Sequence, residues 1–383
     1  MSPRRYVLPL ASALALIACG DDGGAAASSP PDDTTAGPAD TAGSGEVVAG
    51  AAFPDERCVA NEAAGTITYL SGFDFAAAAS IVDVIVADEA GYYEDLCLDV
   101  ELQPSFSTQN YPFVASGEAQ FGAGGSFSEA VNYATANDAE LVAVIIEGRV
   151  AIDTLIVKDG EATTLEDLEG TTIGVKGAIP PSVAAMLAGA GLVEGEDYDT
   201  VPIDGFDPQV HIGLDGIVGF PGYRSNEPGI LERNEIPFTL FDTAAYDVPG
   251  SFGVIITSRQ FLDEHPTAAE DFIRATMRGL EDALADPEAA AATAMAAVDA
   301  GGNPNFLSAE GETYRWTTDS ATLTEGLPEG VGVGVPDEEL LQAEVEAYAE
   351  VGLFGGEVPD IDPFFDAAPI EAVYDDGRVI WPG

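Results

Sequence analysis

The sequence predicts an α/β protein with two lobes, each built on a largely parallel sheet. Strand-like and helix-like segments alternate along the body of the chain, which is the pattern of parallel sheets covered by helices. Residues 140–146 (ELVAVII) form a continuous apolar run, which is typical of a strand buried on both faces. The chain has 383 residues, enough for two such units after an N-terminal segment is set aside.

The strands and the first helix follow from local patterns. Residues 66–70 (TITYL) form a short β-type run, and residues 75–90 (FAAAASIVDVIVADEA) show a helical pattern that stops at Gly91. Residues 98–104 alternate between apolar and polar side chains, as a half-buried strand does. Four more strands are predicted, at 153–158, 172–176, 216–220 and 253–258.

The chain is predicted to finish in helices. Thr267 and Glu270 have the spacing of a capping box, which marks the start of a helix. An apolar stripe at four-three-four spacing follows, formed by Ile273, Met277, Leu280 and Leu284. Residues 288–298 and 337–351 are predicted to be further helices.

The N-terminus predicts export. Arg4 and Arg5 precede a short apolar run that ends at Cys19, so residues 1–18 are predicted to be a signal peptide. A cysteine at this point resembles the bacterial lipoprotein signal, which implies a lipidated Cys19 that anchors the protein to the outside of the cell membrane. An ordinary signal peptide with a chance cysteine remains the alternative. Residues 19–57 are rich in Gly, Ala, Ser, Thr, Pro and Asp and are predicted to be a disordered tether.

Charge and cysteine content exclude several functions. With 67 acidic and 13 basic residues the formal net charge is −54, so binding to nucleic acid is not expected. Cys58 and Cys97 remain after Cys19, and outside the cytoplasm they favour a disulfide over two buried thiols or a metal pair. The chain has only His211 and His265 as imidazole ligands, so no metal site is expected.

Four segments resemble a known family. They are GYYEDLCLDVEL at 91–102, AQFG at 119–122, LEDLEGTTIGV at 165–175 and YRSNEP at 223–228. In this order they resemble the extracytoplasmic substrate-binding proteins of ABC importers for sulfonates, taurine, nitrate, thiamine pyrimidine precursors and, in some relatives, riboflavin. Cys97 stands where that family usually has Gly, which favours the disulfide with Cys58.

The resemblance implies a two-lobed periplasmic-binding-protein fold of type II, with two crossover strands and a ligand in the interlobe cleft. Lobe 1 would take residues 58–153 and the helical return at 253–383, and lobe 2 would take 154–252. The expected partners are a small-molecule ligand and an ABC permease with its ATPase, and we expect a monomer without a cofactor.

Candidate ligand contacts follow the carboxyl ends of the strands, where open α/β sheets bind ligands. They are Phe73, Asp74, Phe75, Ser126, Phe127, Arg149, Lys176, Tyr223, Ser225, Asn226 and Glu227. Structural roles are the alternatives: one of the two Phe residues in the core, Ser126 only as a helix cap, and Arg149 in an ion pair. Half of the residues at 223–227 would serve the hinge or caps. Gln109–Tyr111 follow the strand at 98–103 and could reach the cleft, but a solvated turn before Pro112 is the favoured prediction for them.

The aromatic side chains favour a heteroaromatic ligand, such as a thiamine pyrimidine precursor or riboflavin. A sulfonate, taurine or nitrate ligand is the alternative. An enzyme on this fold is disfavoured because the sequence lacks recognisable nucleophile and metal motifs. The cysteine-rich motif of the pyrimidine-synthesising branch is also absent. No catalytic residue is predicted.

Overall fold

The computed structural model describes residues 45–303 and 307–383. The predictions for the signal peptide, for Cys19 and for the tether up to residue 44 lie outside these residues. Residues 44–383 form one compact unit. None of the helices in the described parts of the chain is both long enough and apolar enough to cross a membrane.

Strands and helices alternate as the sequence predicts. The strands are β1 Thr66–Leu70, β2 Asp99–Gln103, β3 Phe121–Ala123, β4 Leu141–Gly148, β5 Asp153–Lys158, β6 Thr172–Val175, β7 Asp199–Pro202, β8 Gly219–Tyr223, β9 Phe238–Asp242, β10 Phe252–Ser258, β11 Tyr374–Asp375 and β12 Arg378–Val379. The helices are α1 Asp55–Ala63, α2 Val82–Glu89, α3 Tyr92–Asp95, α4 Ser107–Ala115, α5 Phe127–Asn137, α6 Pro181–Gly189, α7 Pro208–Ile212, α8 Glu227–Arg233, α9 Arg259–Glu264, α10 Pro266–Ala285, α11 Pro287–Gly301, α12 Ala309–Leu323, α13 Glu338–Glu350 and α14 Ala368–Glu371.

Two five-stranded sheets carry the two lobes, which confirms the predicted α/β class. The sheet of lobe 1 has the order β2-β1-β3-β10-β4, and that of lobe 2 has the order β7-β6-β8-β5-β9. In lobe 1 only β10 is antiparallel to its neighbours. The chain therefore leaves lobe 1 after β4, builds lobe 2 from β5 to β9, and returns as β10. Every residue of β4 is buried, as the apolar run at 141–146 predicts, and the charged Glu147 is buried with them.

The helices after β10 complete lobe 1. Ile273, Met277 and Leu280 on α10 are buried, and Leu284 packs at the margin of the same core. The ring of Phe272 lies 4.0 Å from that of Phe121 on β3. The capping-box prediction is wrong, because α10 begins at Pro266, with His265 as its N-cap and no capping side chain.

The folded body begins earlier than the tether prediction allowed. Val47 is buried, Gly50 N–H donates to the Trp381 carbonyl at 2.9 Å, and α1 starts at Asp55. Arg57, placed in the tether by its composition, donates to both carboxylate oxygens of Asp271 at 2.9 Å. The buried partners lie more than two hundred residues away, so local composition does not show them.

The predicted disulfide is confirmed. Cys58 on α1 is bonded to Cys97, with their Cα atoms 5.2 Å apart. Cys97 lies between α3 and β2 with φ of 59°, a conformation that a glycine adopts easily.

Two local predictions in lobe 1 are wrong. The helix predicted at 75–90 begins only at Val82, because the preceding amides bond to distant carboxylates, such as that of Ala77 to Glu312. Gln109–Tyr111 do not form a solvated turn. They lie inside α4, where Asn110 and Tyr111 are buried. Asn110 donates its side-chain amide to three backbone carbonyls, which holds α4 against the sheet.

Candidate ligand site between the lobes

Three phenyl rings meet where the strands of the two lobes end. Phe73 follows β1 and Phe106 follows β2 in lobe 1, whereas Phe206 follows β7 in lobe 2. The ring centroid of Phe73 lies 5.7 Å from that of Phe106 and 6.4 Å from that of Phe206. Phe106 is 43% and Phe206 50% exposed, although apolar rings are usually buried. We call these three residues the aromatic clamp.

Two cations lie over rings of the aromatic clamp. Lys176, directly after β6, has its Nζ atom 5.5 Å from the centroid of Phe206. The Arg315 guanidinium on α12 lies 5.9 Å from the centroid of Phe73. Cations at such distances are attracted by the negative face of the ring. Each lobe therefore contributes a ring, and each of these two rings has a positive charge beside it.

Glu227 organises the lobe 2 side of the site. Its carboxylate accepts a hydrogen bond from Lys176 Nζ at 2.9 Å and one from the Tyr223 backbone N–H at 2.8 Å. It is buried, and Gly222 makes room for it, since a Cβ atom there would lie 2.9 Å from the carboxylate. The sequence PGYRSNEP thus folds back so that its glutamate, at the start of α8, fixes both the lysine and the end of β8.

Carboxyl groups from both lobes lie near the side chain of Tyr223. Burial, and then the negative charge of Asp153, raises the pKa of Glu129 on α5 to about 7. Burial likewise raises the pKa of Asp153 to about 6, although the hydrogen bond from Ser182 at 2.6 Å lowers it. Asp153 pairs with Tyr223 across β5 and β8. This part of the site presents hydrogen-bond acceptors, and a pKa of about 7 lets the Glu129 carboxyl gain or lose a proton around neutral pH.

Four predicted residues are brought together here: Phe73, Lys176, Tyr223 and Glu227. The side chain of Tyr223 is half exposed. Burial of its hydroxyl end, and then the negative charges of Asp153, Glu129 and Glu227, raise the pKa of its phenol. All four follow or end a strand whose carboxyl end faces the other lobe, as the rule for open α/β sheets predicts.

Three predicted contacts lie elsewhere because their side chains have partners within lobe 1. Phe75 and Phe127 are core residues, and the ring of Phe127 packs at 6.3 Å from that of Phe365. Asp74 has φ of 49°, and its carboxylate accepts the N–H groups of Phe75 and Asn303. It therefore fixes its own loop to the end of α11.

Ser126 and Arg149 have the structural roles that were the alternatives to ligand contact, a helix cap and an ion pair. Ser126 caps α5, with its Oγ accepting the Glu129 N–H at 3.2 Å. Arg149 forms an ion pair with Asp337 at 2.9 Å and donates to the Val335 carbonyl. That ion pair ties the end of β4 to the start of α13.

Ser225 and Asn226 contact lobe 1. Asn226 Oδ1 accepts a hydrogen bond from Arg315 at 2.9 Å. Burial raises the pKa of the Asp319 carboxyl to about 6, although Ser225 lies close enough to lower it. Both partners belong to α12, so these residues link the lobes.

Sequence reasoning missed Phe206, Arg315, Glu129 and Asp153. The strand before Phe206 has an exposed, polar pattern (DTVP), and α12 lacks an apolar stripe, so neither element was predicted. The scarcity of cations was the available signal for Arg315, since only 13 Lys and Arg residues occur in the chain. Within the described ranges no group of His, Cys, Asp and Glu is placed to hold a metal ion.

Comparison with known proteins identifies the family. The model of the family described as NMT1/THI5 like matches residues 78–290, more than half of the chain. The riboflavin-binding protein RibY of Chloroflexus aurantiacus is 31% identical over 129 residues, which is 33% of this chain and 36% of RibY. The chain therefore matches only about a third of the length of this relative.

Solved structures share the fold at low identity. The aliphatic sulphonate-binding protein SsuA of Escherichia coli has a TM-score of 0.57 at 12% identity, covering 82% of this chain and 94% of SsuA. The nitrate-binding protein NrtA of Synechocystis PCC 6803 has a TM-score of 0.56 at 13% identity, covering 80% and 88%. The ligand-binding component of an ABC-type import system from Staphylococcus aureus has a TM-score of 0.59 at 12% identity, covering 80% and 98%. These likenesses confirm the predicted two-lobed periplasmic-binding-protein fold of type II.

Proposed function

The chain belongs to the NMT1/THI5-like family, and from this premise we propose that it is the solute-binding component of an ABC importer for a flat heteroaromatic solute. Riboflavin is the preferred candidate and a thiamine pyrimidine precursor the next. The protein binds the solute between its lobes, outside the cytoplasm, and releases it unchanged to a permease and its ATPase. It acts as a monomer held to the membrane through lipidated Cys19.

The aromatic clamp is the observation that carries this proposal. A planar ring needs about 3.5 Å of separation from each of two flanking phenyl faces, or about 7 Å between the two faces. The centroids of Phe73 and Phe206 are 6.4 Å apart with the rings tilted by 59°, so a small separation and rotation would admit one aromatic layer. Since the two rings belong to different lobes, such a ligand would be held by both.

Polar groups around the aromatic clamp suit a neutral heteroaromatic ligand. Lys176 and Glu227 place a donor beside buried acceptors, and Glu129 and Asp153 add carboxyls from each lobe. Ring nitrogens, amides and amino groups can pair with such a set. The similarity to RibY, whose name describes a riboflavin-binding protein, supports the same ligand class.

A sulfonate, taurine or nitrate ligand is the second candidate, favoured by the shared fold with SsuA and NrtA. The charges of this site oppose it. Lys176 is already paired with Glu227 and Arg315 with Glu312, so neither cation is free to neutralise an anion. An anionic ligand would also meet the charge of Asp153 in a partly dehydrated site, which raises the cost of binding.

Titration of riboflavin fluorescence against the full chain tests the proposal. Phe206→Ala removes one face of the aromatic clamp and is expected to raise the Kd at least tenfold, corresponding to about 1.4 kcal/mol. Phe113→Ala is the matched control, because Phe113 is also an exposed phenyl, 44% accessible, but lies on α4.

A thermal-unfolding screen of the same protein separates the ligand classes. A true ligand at one hundred times its Kd adds about 2.7 kcal/mol of stability. Riboflavin or an aminopyrimidine should stabilise the protein, whereas taurine and nitrate should not. Stabilisation by a sulfonate alone would refute the heteroaromatic assignment, and conversion of the recovered solute would refute the assignment as a binding protein.

A further inference from the structure

Helix α12 of lobe 1 packs against α8 of lobe 2 and has three charged side chains on one face. Glu312, Arg315 and Asp319 are spaced by three and four residues, which places them along one side of the helix. All three are buried, with Glu312 only 1% exposed. Charged side chains are seldom buried to this degree unless they are paired. Their partners therefore indicate what the helix does.

On the lobe 1 side, the carboxylates of α12 hold the loop after β1, which carries Phe73 of the aromatic clamp. Glu312 Oε2 accepts the Ala77 N–H at 2.8 Å, and an oxygen of Asp319 accepts the Ala79 N–H at 3.4 Å. Arg315 Nε donates to Glu312 at 3.1 Å. The helix and the loop that follows β1 are thus fixed to each other within lobe 1.

On the lobe 2 side, the same helix bonds to Asn226. Arg315 Nη2 donates to Asn226 Oδ1 at 2.9 Å. Asn226 is the N-cap of α8, yet its side chain makes no capping hydrogen bond there. An asparagine at an N-cap usually bonds to its own helix. Here its oxygen bonds to the opposite lobe instead.

We propose that Asn226 of lobe 2 and Arg315 of α12 form a latch that holds the lobes together and sets how long a bound solute is retained. The inference rests on the proposed function and assigns to the Asn226–Arg315 hydrogen bond a role in how tightly the solute is retained. Arg315 also lies over the Phe73 ring, so the side chain that joins the lobes is in contact with the aromatic clamp. A charge-assisted hydrogen bond of this kind is stronger than a neutral one.

Asn226→Ala tests the latch without disturbing either helix. It removes the acceptor for Arg315 but leaves the bond between Arg315 and Glu312 within lobe 1. Asn226→Asp retains an oxygen at this place and should behave like the wild type. Asn234→Ala is the matched control, because Asn234 lies at the other end of α8 and bonds only to the Ile230 carbonyl of its own helix.

Two measurements on the full chain are compared among these variants. In stopped-flow displacement, Asn226→Ala should release riboflavin about tenfold faster, while its association rate changes little. In small-angle scattering without ligand, Asn226→Ala should have the larger radius of gyration, since the lobes separate more often. Asn226→Asp and Asn234→Ala should match the wild type in both.

The scattering measurement keeps the two proposals distinguishable. If the wild type does not bind riboflavin, the proposed ligand is wrong, but the radius of gyration still tests the latch. An Asn226→Ala variant with the radius of the wild type would overturn the latch. The same conclusion would follow if Asn226→Asp opened the lobes as much as Asn226→Ala does, because the acceptor oxygen would then be irrelevant.

Discussion

Removal of the Cys58–Cys97 disulfide should destabilise the folded body by an amount that the structure defines. The bond joins α1 to the turn between α3 and β2 and closes a loop with a sequence separation of 39 residues. On the chain-entropy relation, a loop of this length contributes about 4 kcal/mol by restricting the unfolded chain. A substitution that preserves the folded packing should therefore lower the free energy of unfolding by about 4 kcal/mol.

The residue that replaces Cys97 matters because its backbone is left-handed, with φ of 59°. A β-carbon in this conformation costs about 1 kcal/mol relative to glycine. The double variant Cys58→Ala/Cys97→Gly should therefore be more stable than Cys58→Ala/Cys97→Ala by about 1 kcal/mol. The difference isolates the backbone conformation, since both variants lack the bond.

Urea unfolding followed by circular dichroism measures both quantities, with oxidised wild type as the reference. If the Gly and Ala variants had equal free energies of unfolding, the left-handed backbone at position 97 would be refuted. If both lost less than about 1 kcal/mol, restriction of the unfolded chain would not explain the bond's contribution.

Two other predictions follow from buried charges. Arg57→Met removes a guanidinium from the buried Asp271 carboxylate and should lower the free energy of unfolding in urea by about 3 kcal/mol. This value is near the lower limit for buried ion pairs because Arg274 still donates to Asp271. An unchanged urea midpoint would contradict the pairing. Since the pKa of Glu129 is raised from 4.5 to about 7, the folded state keeps a proton that the unfolded chain has lost. Stability should therefore fall as pH rises between these values. The fall should be shallower in Glu129→Gln, and an unchanged slope would contradict the assignment.

Most strands of the two large sheets were predictable because their signals are local, whereas β3, β7 and β9 were not predicted. The apolar run of β4 predicts that the strand is buried, but it does not predict that Glu147 is buried with it. The segment at 75–81 was not predictable, because its amides bond to Glu312 and Asp319, more than two hundred residues later in the chain. Its local composition favours a helix, and tertiary hydrogen bonds override that preference.

The site was predictable only in part, for a related reason. Ligands of open α/β sheets bind beyond the carboxyl ends of the strands. This rule locates Lys176, Tyr223 and Glu227, because each lies at or just after the end of a strand with a clear sequence pattern. The sequence does not distinguish Phe73 from Phe75, since both flank Asp74. The left-handed backbone at Asp74 places Phe75 in the core and Phe73 beside the ring of Phe206. Asn226 fits a helix cap by sequence, and its bond to Arg315 emerges only when the lobes meet.

The position of β10 has a consequence for the order in which the protein folds. β10 lies between β3 and β4, so those two strands are not joined into one sheet until residues 252–258 are present. Lobe 2 is formed by one continuous stretch, from β5 to β9, and can complete its sheet from local sequence. The lobe that is synthesised first is thus completed last. Until then the apolar edge of β4 is unpaired, and it is this strand that needs protection from association with other chains.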